Sequence, residues 1–156
     1  MKNSKLVSII LVVVWTIVIF LFSNTNSIKS NFQSKGSIQK VINVVEKVDK
    51  VKMDNTKKEN LITLLNKPLR KVAHFSIYLI LSLLMINFLS INKVRDKYKK
   101  AQIFCTLYAI TDEFHQLFIS GRSGQISDVI IDSCGALVGI IVYKYVKKCK
   151  EVKKNK

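Results

Sequence analysis

Thr111-Asp112-Glu113-Phe114-His115-Gln116 sets two carboxylates, an imidazole and an amide inside a run, Ala101 to Ile119, that is otherwise apolar enough to enter a bilayer. On insertion scales its Ile, Leu and Phe residues each favour transfer by roughly 0.3–0.6 kcal/mol, whereas an acid at mid-depth opposes it by roughly 2.5–3.5 kcal/mol. The sum for this helix alone is near zero or unfavourable. The run therefore reads as a member of a bundle whose acids face partners on other helices, not as a lone anchor. An ionisable group kept at membrane depth is expensive, and it usually marks a working site.

Working outward, three more apolar blocks occur at Leu6–Phe22, Val72–Ile91 and Ile126–Val146. Each is near the roughly 20 residues that a spanning helix needs. Hydrophobic residues make up 49% of the 156, and their gathering into blocks argues for a membrane protein. The expected fold is all-α, a four-transmembrane-helix bundle with an amphipathic surface helix in the first long loop. Residues 1–25 form the first span, 26–66 a lysine-rich extracytoplasmic connection, 67–147 a core of three spans, and 148–156 a basic cytoplasmic tail. The first block follows Lys2 and Lys5 as a signal peptide would, but Ser23-Asn24-Thr25-Asn26 lacks an Ala-x-Ala-like cleavage site, so a retained helix is expected.

In the connection, Ile38, Val41, Ile42, Val45 and Val48 recur at helical spacing with lysines between them. That pattern predicts an amphipathic helix, lying on the outer membrane surface or packed on the loop ends of the bundle. Asn66 and Pro68 suit the cap and first turn of the next helix.

The formal net charge is +16. The lysines lie between and after the apolar blocks without the aromatic interleaving of a nucleic-acid module, so nucleic acid is excluded and anionic membrane lipids are the expected partner. Cys105, Cys134 and Cys149 show no Cys-x-x-Cys spacing, which indicates neither a disulfide framework nor a cysteine zinc site. Lysines crowd the loop 92–100 and the tail, and the positive-inside rule then puts both termini in the cytoplasm. The lysine-rich first connection pulls the other way, but long connections weigh less per charge.

With that topology, four separated pieces of sequence deliver polar groups to one end of the bundle. Lys71, His74, Phe75 and Tyr78 share a helix face, and Glu113 and Gln116, or Asp112 and Gln116, share another. Arg122 lies in the following turn, with Asp128 and, one turn deeper, Asp132 on the last helix. Asp128 sits where a helix N-terminus favours negative charge, so it also reads as a plain helix-start residue. Asp112 and Glu113 sit toward a C-terminus, where carboxylates are disfavoured, so Arg122, Lys71 or protonated His74 is expected to compensate, with Arg122 bidentate to one carboxylate. A polar network that only locks helices together is the competing reading. His115 points off the Glu113 face and reads as a lipid-interface or packing residue. His74, Glu113 and Asp128 offer sufficient ligand types for a metal, but no helix carries His-x-x-x-His or Glu-x-x-His spacing; no metal or other cofactor is expected. Gly135-x-x-x-Gly139 permits close helix contact, most simply within the monomer.

Taken in order, Lys71-x-x-His74-Phe75-x-x-Tyr78, Asp112-Glu113-x-x-Gln116-x-Phe118, Gly121-Arg122, Asp128 and Gly135-x-x-x-Gly139 resemble the VanZ-like family of bacterial membrane proteins over about 67–140. The resemblance implies a small multi-span plasma-membrane protein whose founding member gives low-level resistance to the glycopeptide teicoplanin. It also implies a polar signature at Lys71, His74, Tyr78, Asp112, Glu113, Gln116, Arg122 and Asp128. Asp132 departs from the family pattern, which usually shows Asn there. The leading expectation is an envelope protein whose outer-facing polar site binds a lipid or cell-wall-precursor headgroup, with Lys71 and Arg122 on phosphate, thereby limiting access of a lipid-anchored glycopeptide. The competing classes are an intramembrane enzyme acting on lipid-linked substrates, with His74 as general base and Glu113 or Asp112 as acid, and a purely structural assembly protein.

Overall fold

A computed structural model describes residues 2–24, 27–49, 54–119 and 124–154. They form five helices and, among the described residues, no strand: α1 (Lys2–Ser23), α2 (Ser27–Asp49), α3 (Asn55–Ile91), α4 (Lys97–Gln116) and α5 (Ile126–Lys154). The all-helical class expected from the apolar blocks holds. The span count does not, because among the described residues three helices, α1, α3 and α5, are long and apolar enough to cross a membrane, not four.

α4 falls short because Lys97, Lys99 and Lys100 crowd its start and Asp112 and Glu113 its end. It is nonetheless packed against α3, α5 and α1. Its buried face is Ala101, Cys105, Ala109, Asp112, Glu113 and Gln116, a single helical stripe of small residues ending in acids. Its large apolar residues, Ile103, Leu107, Ile110 and Phe114, point outward. Small residues let helices approach closely in a membrane. The stripe therefore docks, and it carries the carboxylates into the bundle while the lipid side stays apolar.

Side-chain partners fix the directions. α3 and α5 run parallel, since Lys71 meets Asp128, His74 meets Asp132, and Ser90 meets Tyr143 at 3.3 Å. α1 runs against them: Val12 packs with Met85 and Ile140, whereas Ile19 packs with Tyr78 and Ala136. The Trp15 indole N–H donates to the Ile77 carbonyl at 2.9 Å, and the Tyr108 hydroxyl donates to the Thr16 carbonyl at 2.6 Å. Helix carbonyls at these positions already hold their own backbone bonds, so each contact adds attachment for α1. Trp15→Phe and Tyr108→Phe should each lower stability by about 1 kcal/mol, read as a drop in detergent melting temperature; no shift in either would show that α1 is held by packing alone.

Gly135 and Gly139 explain how close α3 and α5 come. A Cβ on Gly135 would collide with the Phe75 carbonyl oxygen, and one on Gly139 would lie 2.6 Å from the Leu79 carbonyl oxygen. Both glycines face α3 of the same chain.

The connection differs from its sequence reading. The next helix starts at Asn55 rather than near Pro68, so Asn66 lies inside α3 and caps nothing, and Pro68 is an interior proline that removes one backbone donor. The early start has a packing cause. Ile38 and Ile42 of α2 bury against Ile62 of α3, and Lys58 pairs with Glu46 at 2.8 Å. The amphipathic surface helix is not confirmed in the form expected, because Val41 and Val45 of its stripe are exposed and the Val48 side chain lies outside the described residues. Among the described residues α2 packs on α3 only, not on the loop ends of the bundle. The basic tail is helical up to Lys154 as a continuation of α5.

Candidate functional site

At the end of the bundle where α4 stops and α5 begins, His74 of α3, Asp112 and Glu113 of α4, and Asp132 of α5 come together. One ligand-capable atom from each lies within 4.8 Å of all the others. Each arrives for a local reason. His74 sits one turn before Tyr78 on the buried face of α3, the acids complete the small-residue stripe of α4, and Asp132 lies one turn before the close-packed Gly135 and Ala136 on α5.

Burial is deep: Asp132 is 0% exposed, and Asp112 and Glu113 are each 5% exposed. Glu113 is the best satisfied. One of its oxygens accepts from the Gln116 amide at 3.1 Å, and the other accepts the Gln125 backbone N–H at 3.0 Å, tying the end of α4 to the start of α5. Gln116 also reaches Asp112, at 3.4 Å. Asp132 lies 3.7 Å from His74 Nδ1, an ion-pair distance longer than a hydrogen bond. Among the described residues, neither Asp132 oxygen, nor His74 Nδ1, nor the buried Tyr78 hydroxyl has a hydrogen-bond partner. Tyr78 lies within electrostatic reach of Asp112 and Asp132.

One turn above, Lys71 and Asp128 form a looser rung at 3.7 Å, with side chains 47% and 30% exposed. α3 and α5 therefore share two rungs, Lys71 with Asp128 at the rim and His74 with Asp132 inside. The ligand set weighed from the sequence was His74, Glu113 and Asp128; in the structure Asp132 stands beside His74, and Asp128 pairs with Lys71 at the rim. Arg122 and Gly121 lie outside the described residues. His115 packs on Phe20 with ring centroids 4.9 Å apart and is not one of the four grouped residues.

Ser23, the last residue of α1, is 1% exposed and close to Asp112. Sequence reasoning missed it, because a serine after an apolar block reads as the start of a loop. The Gln125 backbone donor was equally invisible, since only the chain reversal turns it back onto Glu113.

Three carboxylates this close constitute an electrostatic problem. Two unit charges 4.8 Å apart repel by about 3.5 kcal/mol at an effective dielectric constant of about 20. Among the described residues, His74 is the only basic side chain in the group. The arrangement suits proton transfer, with an imidazole oriented by a carboxylate, and it suits cation binding, with one nitrogen and three oxygen donors.

The VanZ/LLP1 family model matches residues 8–147, which include all five helices in whole or part. The chain belongs to the VanZ/LLP1 family. Neither a curated protein nor a solved structure matches it. The family match and the three apolar helices together make this a VanZ-like membrane protein, and the exposed Leu, Ile and Val side chains of α1 and α5 fit contact with lipid tails. The match reaches α1 and the connection, beyond the 67–140 stretch that carried the resemblance in the sequence.

Proposed function

We propose that this VanZ-like protein lies in the bacterial plasma membrane with both termini cytoplasmic, α4 returning the chain between the parallel α3 and α5 within the bundle although it is too charged to cross alone, and that its outer-facing polar site binds a lipid or cell-wall-precursor headgroup. Binding there limits access of a lipid-anchored glycopeptide of the teicoplanin type. The observation that carries the reading is the convergence of His74, Asp112, Glu113 and Asp132 from three helices beneath a half-exposed Lys71. A lysine at the rim is free to exchange Asp128 for phosphate, because a partly exposed pair contributes less than about 1 kcal/mol. Arg122, between α4 and α5 in the sequence, is the second phosphate ligand, and Gln116 and the carboxylates take the sugar or amide groups. The lysine-rich segment 92–100 follows the opposite end of α3, which supports an outward-facing site by the positive-inside rule.

The test is glycopeptide susceptibility of a strain expressing the protein, with abundance followed by immunoblot. Lys71→Ala and Arg122→Ala should each restore susceptibility at unchanged abundance, since a charged hydrogen bond contributes roughly 1.5–3 kcal/mol. Unchanged susceptibility in both variants would reject the reading, and loss of protein in step with susceptibility would favour a purely structural role.

One observation favours a second reading. The pairing of His74 with Asp132 matches a general base oriented by an acid, with Glu113 or Asp112 left to donate a proton. An enzyme acting on lipid-linked substrates predicts a lipid species that appears or vanishes with the protein and reverts in His74→Ala. Mass analysis of membrane lipids separates the two.

A further inference from the structure

Two features of the inner cluster remain unexplained by headgroup binding. An anionic headgroup approaching three buried carboxylates meets repulsion, not attraction, and Lys71 at the rim, already paired with Asp128, does not cancel it. In addition, Asp132 is fully enclosed with both oxygens lacking a hydrogen-bond partner among the described residues, and the enclosed Tyr78 hydroxyl beside it is in the same state. Buried polar atoms without partners are rare, and an ion is one of the standard reasons for them. Lone carboxylates are commonly rescued by protonation, but that would leave the imidazole and the second Asp132 oxygen unused.

We propose that His74, Asp112, Glu113 and Asp132 hold a divalent first-row transition-metal ion between α3, α4 and α5. Ligand atoms around such an ion lie about 2.0–2.2 Å from it, so opposite ligands are separated by about twice that. The 4.8 Å limit within this group is therefore nearly the span of an occupied site, and a small inward movement of side chains closes it. The donor set is one imidazole nitrogen and three carboxylate oxygens, which suits Zn²⁺, Mn²⁺ or Fe²⁺; the imidazole argues against Mg²⁺ and Ca²⁺, which take oxygen. Glu113 has a supporting shell, the Gln116 amide and the Gln125 N–H, of the kind that orients metal ligands. The absence of paired ligands on one helix carries no weight here, because three helices each contribute.

The ion does not require the headgroup reading. If both hold, the ion reverses the sign of the pocket and gives phosphate a counter-charge; if the headgroup reading fails, the metal site stands.

The protein purified in detergent, stripped with a chelator and titrated with Zn²⁺ or Mn²⁺ alone, should bind one ion per chain by calorimetry and elemental analysis. Loss of an orienting partner of a ligand already weakens metal binding by roughly 10–100-fold, so Asp132→Asn and His74→Gln should each lose at least about tenfold. Asp128→Asn, at the rim, should bind as the wild type does. Because a cluster variant can fail to fold, electron spin-echo spectroscopy of Mn²⁺ on the unaltered protein gives an independent reading, with nitrogen coupling expected from His74. Wild-type protein that binds no ion, variants that bind as tightly as wild type, or bound Mn²⁺ without nitrogen coupling would each overturn the proposal. Glycopeptide susceptibility plays no part in these readouts, so failure here is distinguishable from failure of the functional reading.

Discussion

Gly139→Leu is expected to abolish the folded monomer. At this position the obstacle is backbone: a Cβ would stand 2.6 Å from the Leu79 carbonyl oxygen and would also strike the Ser82 hydroxyl. Side chains can rotate away, but a helix backbone moves only as a body, so α3 and α5 must separate along the face that carries both rungs. Overpacking a core costs roughly 1–3 kcal/mol where side chains can yield, and more is expected where they cannot. Gly135→Leu should behave alike, because its Cβ would collide with the Phe75 carbonyl oxygen. Gly36 is the control. Nothing lies within 4 Å of a Cβ there, and it sits inside α2, so Gly36→Ala should be neutral or gain about 0.5–1 kcal/mol from reduced chain entropy. Size-exclusion profiles and melting temperatures in detergent report the difference. A monodisperse Gly139→Leu protein melting near wild type would show that α3 and α5 do not touch as described.

The second large effect is expected at His74. Removing one member of a buried charged pair costs roughly 3–5 kcal/mol, because the other is left uncompensated, whereas replacing both by apolar groups is often neutral. His74 lies 3.7 Å from Asp132 and shares its site with Asp112 and Glu113. In chelator-treated protein, His74→Leu should therefore lower the melting temperature by roughly 6–20 °C, since about 1 kcal/mol moves it by roughly 2–4 °C in a chain of this length. Adding Asp132→Leu should recover most of that loss. Simple additivity of the two substitutions would mean that the imidazole is not what balances the carboxylate, and the second rung would have to be abandoned.

Much of this was legible in the residues. The apolar blocks located α1, the membrane part of α3 and α5, because a spanning helix is recognised by composition over its length. The near-zero insertion balance of Ala101–Ile119 anticipated that α4 depends on its neighbours, although counting it as a full fourth span went too far for a helix with five charged residues between Lys97 and Glu113. The polar end of the bundle was visible too, because topology alone delivers Lys71, His74, the α4 acids and the start of α5 to one side.

Other parts were illegible for a physical reason. Helical period says which residues share a face but not how that face is rotated against another helix. Asp132 could be placed one turn deeper than Asp128, but its contact with His74 depends on the register of α5 on α3 that the two glycines set. The unbroken α3 through Pro68 was hidden in the same way, because the cost of one lost backbone bond is met by Ile38 and Ile42 of α2 packing on Ile62. The sequence by itself determined that the chain is helical, membrane-embedded and polar at one end, since those follow from composition and length. Only the tertiary structure decided that an imidazole and three carboxylates from three helices share one buried site, since that depends on helix rotation and depth, which close contact at Gly135 and Gly139 fixes and no local pattern encodes.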